Sequence, residues 1–278
     1  MKIRLLAPSE TRLALNLLGG DPVLNQGLIH NIVKSGLNNL GLIGQGSYLG
    51  LFADGDLVAL LCHDNQGIWR FHVNQPAELL ELADAALRQG MRPVLVMGEA
   101  RLMEDLLTAM AREMGYLKLV EDEVMLLLAG PDFRPRQDRE SRYAVSDDLE
   151  QVAALEEGLQ RELLGPDGWR KAAVRRYAAE LIQKRDTVFC EADGRAVSKA
   201  DLEVRITGVA SLGGVFTLAA YRGRGYAASA CSLLCSDILA SGAGVTLNTD
   251  AHNLPALALY RSLGFHKHRD YKVAVFNA

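Results

Sequence analysis

Two β-rich apolar runs, Tyr48 to Ala53 and Leu57 to Cys62, flank Asp54-Gly55, a pair that tolerates positive φ, and together they predict a β-hairpin. A further strand follows. Apolar residues then return at helical spacing from Pro76 to Gln89 and from Leu102 to Met114, with a short β-rich run from Pro93 to Met97 between them; Gly115-Tyr116 closes the second helix, and a strand from Val124 to Leu128 ends the series. The second half repeats this order. Ser146-Asp-Asp-Leu-Glu opens a helix to about Leu159, and Trp169 to Lys184 makes another. Thr187 to Ala192 and Arg195 to Ile206 flank a second hairpin turn, Asp193-Gly194. Val209 to Leu218 is a strand, Ala227 to Leu239 a helix, Val245 to Thr249 a strand, Pro255 to Leu263 a helix ended by Gly264, and Tyr271 to Phe276 the last strand.

Between the halves, Gly130 to Arg142 carries two prolines and dense charge without either period, and reads as a linker at 131–141. The expectation is an α/β chain with mixed sheets in two related domains, 1–130 and 142–278. A length of 278 residues, 49% hydrophobic and 23% charged, suits two packed cores and excludes wholesale disorder. A net charge of −4 offers no basic footprint, so neither nucleic acid nor a membrane is expected as partner. The first half carries 10 Lys and Arg against 15 Asp and Glu, the second 20 against 19. No apolar run has the length of a signal peptide or a membrane span, which makes a cytoplasmic location the expectation. Cys62, Cys190, Cys231, Cys235 and the six histidines lack metal-site spacing, so no metal is expected and the thiols read as free and buried.

The sharpest local feature is Tyr221-Arg-Gly-Arg-Gly-Tyr-Ala227, set between a predicted strand and a predicted helix. Glycines at such a turn let backbone N–H groups converge on an anion, and the helix N-terminus adds partial positive charge. Alone, it is also compatible with an ordinary glycine-rich turn. Gly223-x-Gly225-x-x-Ala228 with Asp250 satisfies a dinucleotide pattern, but only 28 residues follow Asp250, too few for the remaining strands of that fold. No Gly-Lys-Ser/Thr follows the turn, which excludes a P-loop.

Arg222-x-x-Gly225-x-Ala227 resembles the pyrophosphate signature Q/R-x-x-G-x-G/A of the GNAT superfamily of acetyl-CoA-dependent N-acetyltransferases. Asn253 to Tyr260, followed by Leu263-Gly264-Phe265, resembles that superfamily's N-x(6)-Y-x-x-L-G-F helix. The resemblance covers most of 142–278, and extends to two-domain members whose first half is a degenerate GNAT-like domain. It implies that the backbone of Arg222, Gly223, Arg224, Gly225, Tyr226 and Ala227 binds the coenzyme's diphosphate, and that N–H groups near Phe216, Thr217 and Leu218 polarise the thioester. It makes Tyr260 the general acid, and Asn253 a pantetheine ligand, a helix cap or both. For the general base, Glu203, Asp201 and Asp250 are the candidates, with Glu203 preferred; a chain of waters is the alternative. The implied reaction is acetyl transfer from acetyl-CoA to a primary amine, on a small molecule or a protein, by direct attack in a ternary complex. An acyl-CoA-binding regulatory module is the alternative, and a homodimer is compatible with either. The first half has Asn74-Gln75-Pro76 where the loop would lie, and a proline supplies no N–H, so no acetyl-CoA is expected there.

Overall fold

The computed structural model describes residues 1–114, 117–165 and 169–276; the expected closure at Gly115-Tyr116 lies outside the described residues. In chain order the elements are β1 Lys2–Leu5, α1 Thr11–Leu18, α2 Gln26–Ser35, β2 Gly46–Ala53, β3 Asp56–Asp64, β4 Ile68–His72, α3 Pro76–Arg88, β5 Leu95–Glu99, α4 Ala100–Met114 and β6 Leu117–Leu128. They continue as β7 Ser141–Tyr143, α5 Leu149–Leu164, α6 Lys171–Lys184, β8 Thr187–Ala192, β9 Arg195–Ile206, β10 Val209–Thr217, α7 Tyr226–Ala240, β11 Gly244–Asp250, α8 Leu254–Leu263 and β12 His266–Phe276. Both hairpin turns owe their geometry to their residues. Asp54 and Gly55 have φ of 52° and 98°, and Asp193 and Gly194 have 51° and 74°. Positive φ at both central positions is the turn whose twist matches the flanking strands.

The chain forms two compact units. One comprises Met1–Met125, Asn248–His252 and Lys267–Ala278; the other comprises Leu126–Leu247 and Asn253–His266. This differs from a division at 131–141, because strand pairing rather than chain order decides membership. In the first unit the strand order is β1-β2-β3-β4-β5-β12-β6, with β6 belonging to it as far as Met125. From Tyr271↔Glu99 to Val275↔Leu95, β12 pairs antiparallel with β5, and Ala274 and Phe276 join a core that includes Trp69, Leu79, Leu82 and Leu102. In the second unit the order is β7-β8-β9-β10-β11, over a core that includes Val152, Leu155, Phe189 and Phe216.

Among the described residues, one parallel pair in each unit joins at the start of its strands. Ile68↔Leu95 and Trp69↔Val96 join β4 to β5; Val209↔Gly244 to Ser211↔Thr246 join β10 to β11. Beyond Ser211, β10 runs on to Thr217 and, among the described residues, pairs only with β9, which leaves its other edge open where the glycine turn begins. Helix α7 is buried along most of its first three turns, at Ala228, Ser229, Ala230, Cys231, Ser232, Leu234 and Cys235. Small side chains there let the helix lie close to the strands it follows. All four cysteines are free and buried, and withdrawal from water pushes the Cys62, Cys190 and Cys231 thiols up to about 12.

Candidate active site

Strand β10 is interrupted by a bulge. Its register on β9 shifts between Gly213↔Asp201 and Phe216↔Lys199, and Gly214 takes φ +55°, a conformation that suits glycine. Past the bulge, the Leu218 N–H donates to the Val197 carbonyl at 2.9 Å. Successive N–H groups of a strand point to opposite sides. The Thr217 N–H therefore faces away from β9, toward the open edge, and the Leu218 N–H is already engaged. Phe216 is buried, and its ring lies where a Cβ on Gly158 of α5 would come within 2.6 Å.

A tight turn at Ala219–Tyr221 follows, closed by N–H bonds from Tyr221 to the Leu218 carbonyl at 2.8 Å and from Arg222 to the Ala219 carbonyl at 3.3 Å. Gly223 and Gly225 then have φ of 72° and 86°, and Gly225 caps α7. The first helical N–H bond runs from Ser229 to the Gly225 carbonyl at 3.0 Å. Among the described residues, nothing accepts from the N–H groups of Gly223 to Ala228, at the positive end of a helix. That run fits a diphosphate. Arg222 does not hang free: its Nε donates to the Thr217 carbonyl at 2.9 Å and its guanidinium pairs with Glu162, which ties the loop to the end of β10. Arg224 lies over the Tyr221 ring at 5.7 Å, with Arg195 over the same ring at 5.4 Å. The edge of Tyr221 meets Tyr226 at 5.9 Å.

Asn253 caps α8, its Oδ1 accepting the Ala256 N–H at 3.1 Å; the capping role is therefore filled, and the amide NH₂ is left for a ligand. Tyr260 is 7% exposed and meets Phe265 edge-on at 5.7 Å. Burial, with smaller contributions from Cys231, Cys235 and Glu203, raises its proton affinity, so the phenol stays protonated.

The three carboxylates considered as bases occupy different settings. Asp201 is fully buried, accepts from Thr187 Oγ1 at 2.6 Å and pairs with Lys199. Asp250 belongs to the other compact unit, where its Oδ1 accepts the His252 N–H at 2.7 Å. Glu203 is the distinctive one. A Cβ added to Gly213 would fall on its carboxyl group, so Glu203 of β9 fills the side-chain place that Gly213 leaves empty on β10. The residue keeps exposed surface, while its carboxyl is crowded by its neighbours, and the local crowding governs its chemistry. That desolvation raises its proton affinity, and the Asp201 charge adds to the effect, against Lys199 and a Gly214 N–H that favour the ionised form.

The buried partner of this group, Lys199, is not among the residues that the motifs single out. Lys199 is 0% exposed and 2.8 Å from Glu156 of α5, itself 2% exposed, besides its pair with Asp201. Burial alone would lower its proton affinity, but the Asp201 and Glu156 carboxylates outweigh that and keep it charged. The spacing Lys199, Asp201, Glu203 was a readable signal, because alternate residues of a strand share a face. Among the described residues no group of three or more His, Cys, Asp or Glu could hold a metal ion.

Residues 152–265 match the Acetyltransferase (GNAT) family. This segment is a GNAT acetyltransferase domain. No curated protein is significantly similar in sequence. Among solved structures, a GCN5-related N-acetyltransferase from Sphaerobacter thermophilus is similar at a TM-score of 0.64 and 16% identity, over 98% of this chain and 94% of that one. A GNAT-family acetyltransferase from Colwellia psychrerythraea gives 0.60 and 14% over 100% of both chains. A tandem GNAT protein from the clavulanic acid biosynthesis pathway gives 0.57 and 12% over 98% and 97%. At these identities the likeness is one of fold, and it extends over nearly the whole chain. The match to that family implies an acyltransferase domain with acetyl-CoA as cosubstrate at 152–265. No helix of the described residues is long and apolar enough to cross a membrane.

Proposed function

We propose that the segment 142–278 moves an acetyl group from acetyl-CoA to a primary amine by direct attack in a ternary complex. The observation that carries this reading is the row of N–H groups from Gly223 to Ala228, unengaged among the described residues, directly after a strand with an open edge. The row binds the diphosphate, and Arg222 and Arg224 add charge. The Thr217 N–H, facing the open edge, donates to the thioester carbonyl as its oxygen gains charge; the Asn253 NH₂ bonds the pantetheine arm. Glu203 accepts a proton from the substrate ammonium, a needed step because an amine of pKa about 10 is only about one-thousandth neutral at pH 7. Tyr260, kept protonated by burial, gives its proton to the leaving thiolate and regains one from the second proton that the attacking nitrogen sheds as the amide forms. The acceptor is an amine on a small molecule or a protein.

The half 1–130 takes no acetyl-CoA in this reading. At the start of α3, where the equivalent loop would lie, Glu78 already accepts the Asn74 N–H at 2.7 Å and the Gln75 N–H at 3.3 Å, and Pro76 has no N–H to offer. A carboxylate of the chain itself fills the place of an anion. Calorimetry with CoA should give one site per chain.

Melting curves with acetyl-CoA, CoA and NAD test the reading first. Native-state binding at a hundredfold excess over Kd adds about 2.7 kcal/mol, a rise of several degrees in Tm. No shift with either CoA form, or a shift with NAD alone, would overturn it. Where CoA binds, a screen of amines for thiol release locates the acceptor; binding with no turnover on any amine would favour the regulatory module instead.

A further inference from the structure

Residues 134–141 do more than connect. They belong to the compact unit that holds the glycine loop and are pinned to the start of α7 through two buried serines one turn apart. The Arg136 N–H donates to Ser232 Oγ at 2.8 Å and the Arg139 N–H to Ser229 Oγ at 3.0 Å, with Ser232 and Ser229 3% and 1% exposed. From this anchored backbone the Arg139 side chain reaches the loop. Its Nε donates to the Arg224 carbonyl at 3.0 Å, and its guanidinium lies 5.0 Å from the centre of the Tyr226 ring. Asp138 also approaches the loop, 3.3 Å from where a Gly225 Cβ would sit, and Arg136 pairs with its carboxylate at 2.6 Å.

The consequence follows from peptide geometry. In a trans peptide the C=O and the following N–H point in opposite directions. Holding the Arg224 carbonyl on one side fixes the Gly225 N–H on the other. Gly225 is free to rotate more widely than any other residue type, so without that hold the 224–225 peptide can turn its carbonyl toward the anion it should be binding. We propose that Arg139 is a positioning residue for the diphosphate cradle: it sets the Gly225 N–H by holding the Arg224 carbonyl. The proposal rests on the acetyl-CoA reading and extends the site to the segment between the halves.

The test is calorimetric titration of the wild-type chain, Arg139→Ala and Arg139→Lys with CoA and with 3′-dephospho-CoA. Loss of a hydrogen bond from a charged donor predicts affinity weakened roughly tenfold. The expected result is that fall in both variants and for both ligands, since both ligands carry the diphosphate, and lysine keeps the charge without the planar Nε–H that meets the carbonyl. Unchanged affinity in Arg139→Ala overturns the proposal. So does a loss confined to CoA, which would make Arg139 a partner of the 3′-phosphate, and so does full rescue by lysine, which would make its role one of charge alone. Failure of the wild-type chain to bind either ligand would instead sink the acetyl-CoA reading, and the proposal with it. Melting of each unliganded variant confirms that it is folded.

Discussion

Gly223→Ala isolates the backbone conformation of the cradle from everything else in it. A Cβ at residue 223 would meet nothing within 4 Å, so no clash and no lost contact enters; what remains is φ of +72°. Holding an L-residue in the left-handed region costs roughly 1–2 kcal/mol. If the loop keeps its shape without ligand, the cost falls on folding, and Tm drops by about 2–8 °C. If the loop relaxes, Tm holds and the cost falls on binding, as a rise of about 5- to 30-fold in the Kd for CoA. The two losses together should come to 1–2 kcal/mol, whichever way they divide. Gly242→Ala is the control: it has φ of +81°, also with nothing within 4 Å of an added Cβ, in the turn after α7. It should lower Tm alike and leave CoA affinity untouched. Melting curves of both variants with and without CoA measure all four quantities. A Gly223→Ala chain that matches wild type in Tm and Kd would show that coenzyme binding does not depend on this left-handed turn.

Tyr260→Phe should lower kcat by about a hundredfold with the KM for acetyl-CoA unchanged, read from thiol release once an acceptor is found; equal loss of binding would assign the ring to packing. Glu203→Gln should lower kcat/KM tens-fold. It should also affect stability in a set direction. A carboxyl whose proton affinity is raised on folding contributes stability that is complete below the ordinary carboxylate pKa of about 4.3 and lost as pH rises through its folded value. The glutamine variant escapes that loss, so urea midpoints should favour it at pH 8 and not at pH 4; the reverse order would contradict the crowding of this carboxyl. Lys199→Met leaves Asp201 and Glu156 buried without their cation and should cost about 3–5 kcal/mol in urea unfolding. A loss below 1 kcal/mol would mean that the carboxylates are reached by water.

Where local chemistry decides, the sequence is a good guide. Two turns of Asp-Gly placed both hairpins, and β8 and β9 run over the residues their patterns define, Thr187–Ala192 and Arg195–Ile206. The glycine turn was legible for the same reason, since positive φ at Gly223 and Gly225 is written in residue type. Contacts between distant residues were not legible. Nothing local in Arg139 says that its side chain meets the Arg224 carbonyl, and nothing in Glu203 says that it fills the gap beside Gly213, because both depend on which segments lie side by side. Short elements without a complete period, β1 and β7 of 4 and 3 residues, also escaped, as did α1 and α2 before the first hairpin. Their apolar faces gain meaning only against the strands they cover.

The C-terminal strand carries a consequence for anyone who handles this chain in pieces. Because β12 pairs with β5 and places Ala274 and Phe276 in the core around Trp69, a fragment ending near residue 130 would be missing an interior strand of its sheet. It would expose the edge of β5 and forgo the burial of Phe276, worth about 1.5–3 kcal/mol. The matching C-terminal fragment would carry an orphan ribbon in search of an edge, an invitation to exchange strands between molecules. The first unit's sheet is complete only once residues 271–275 have paired with β5.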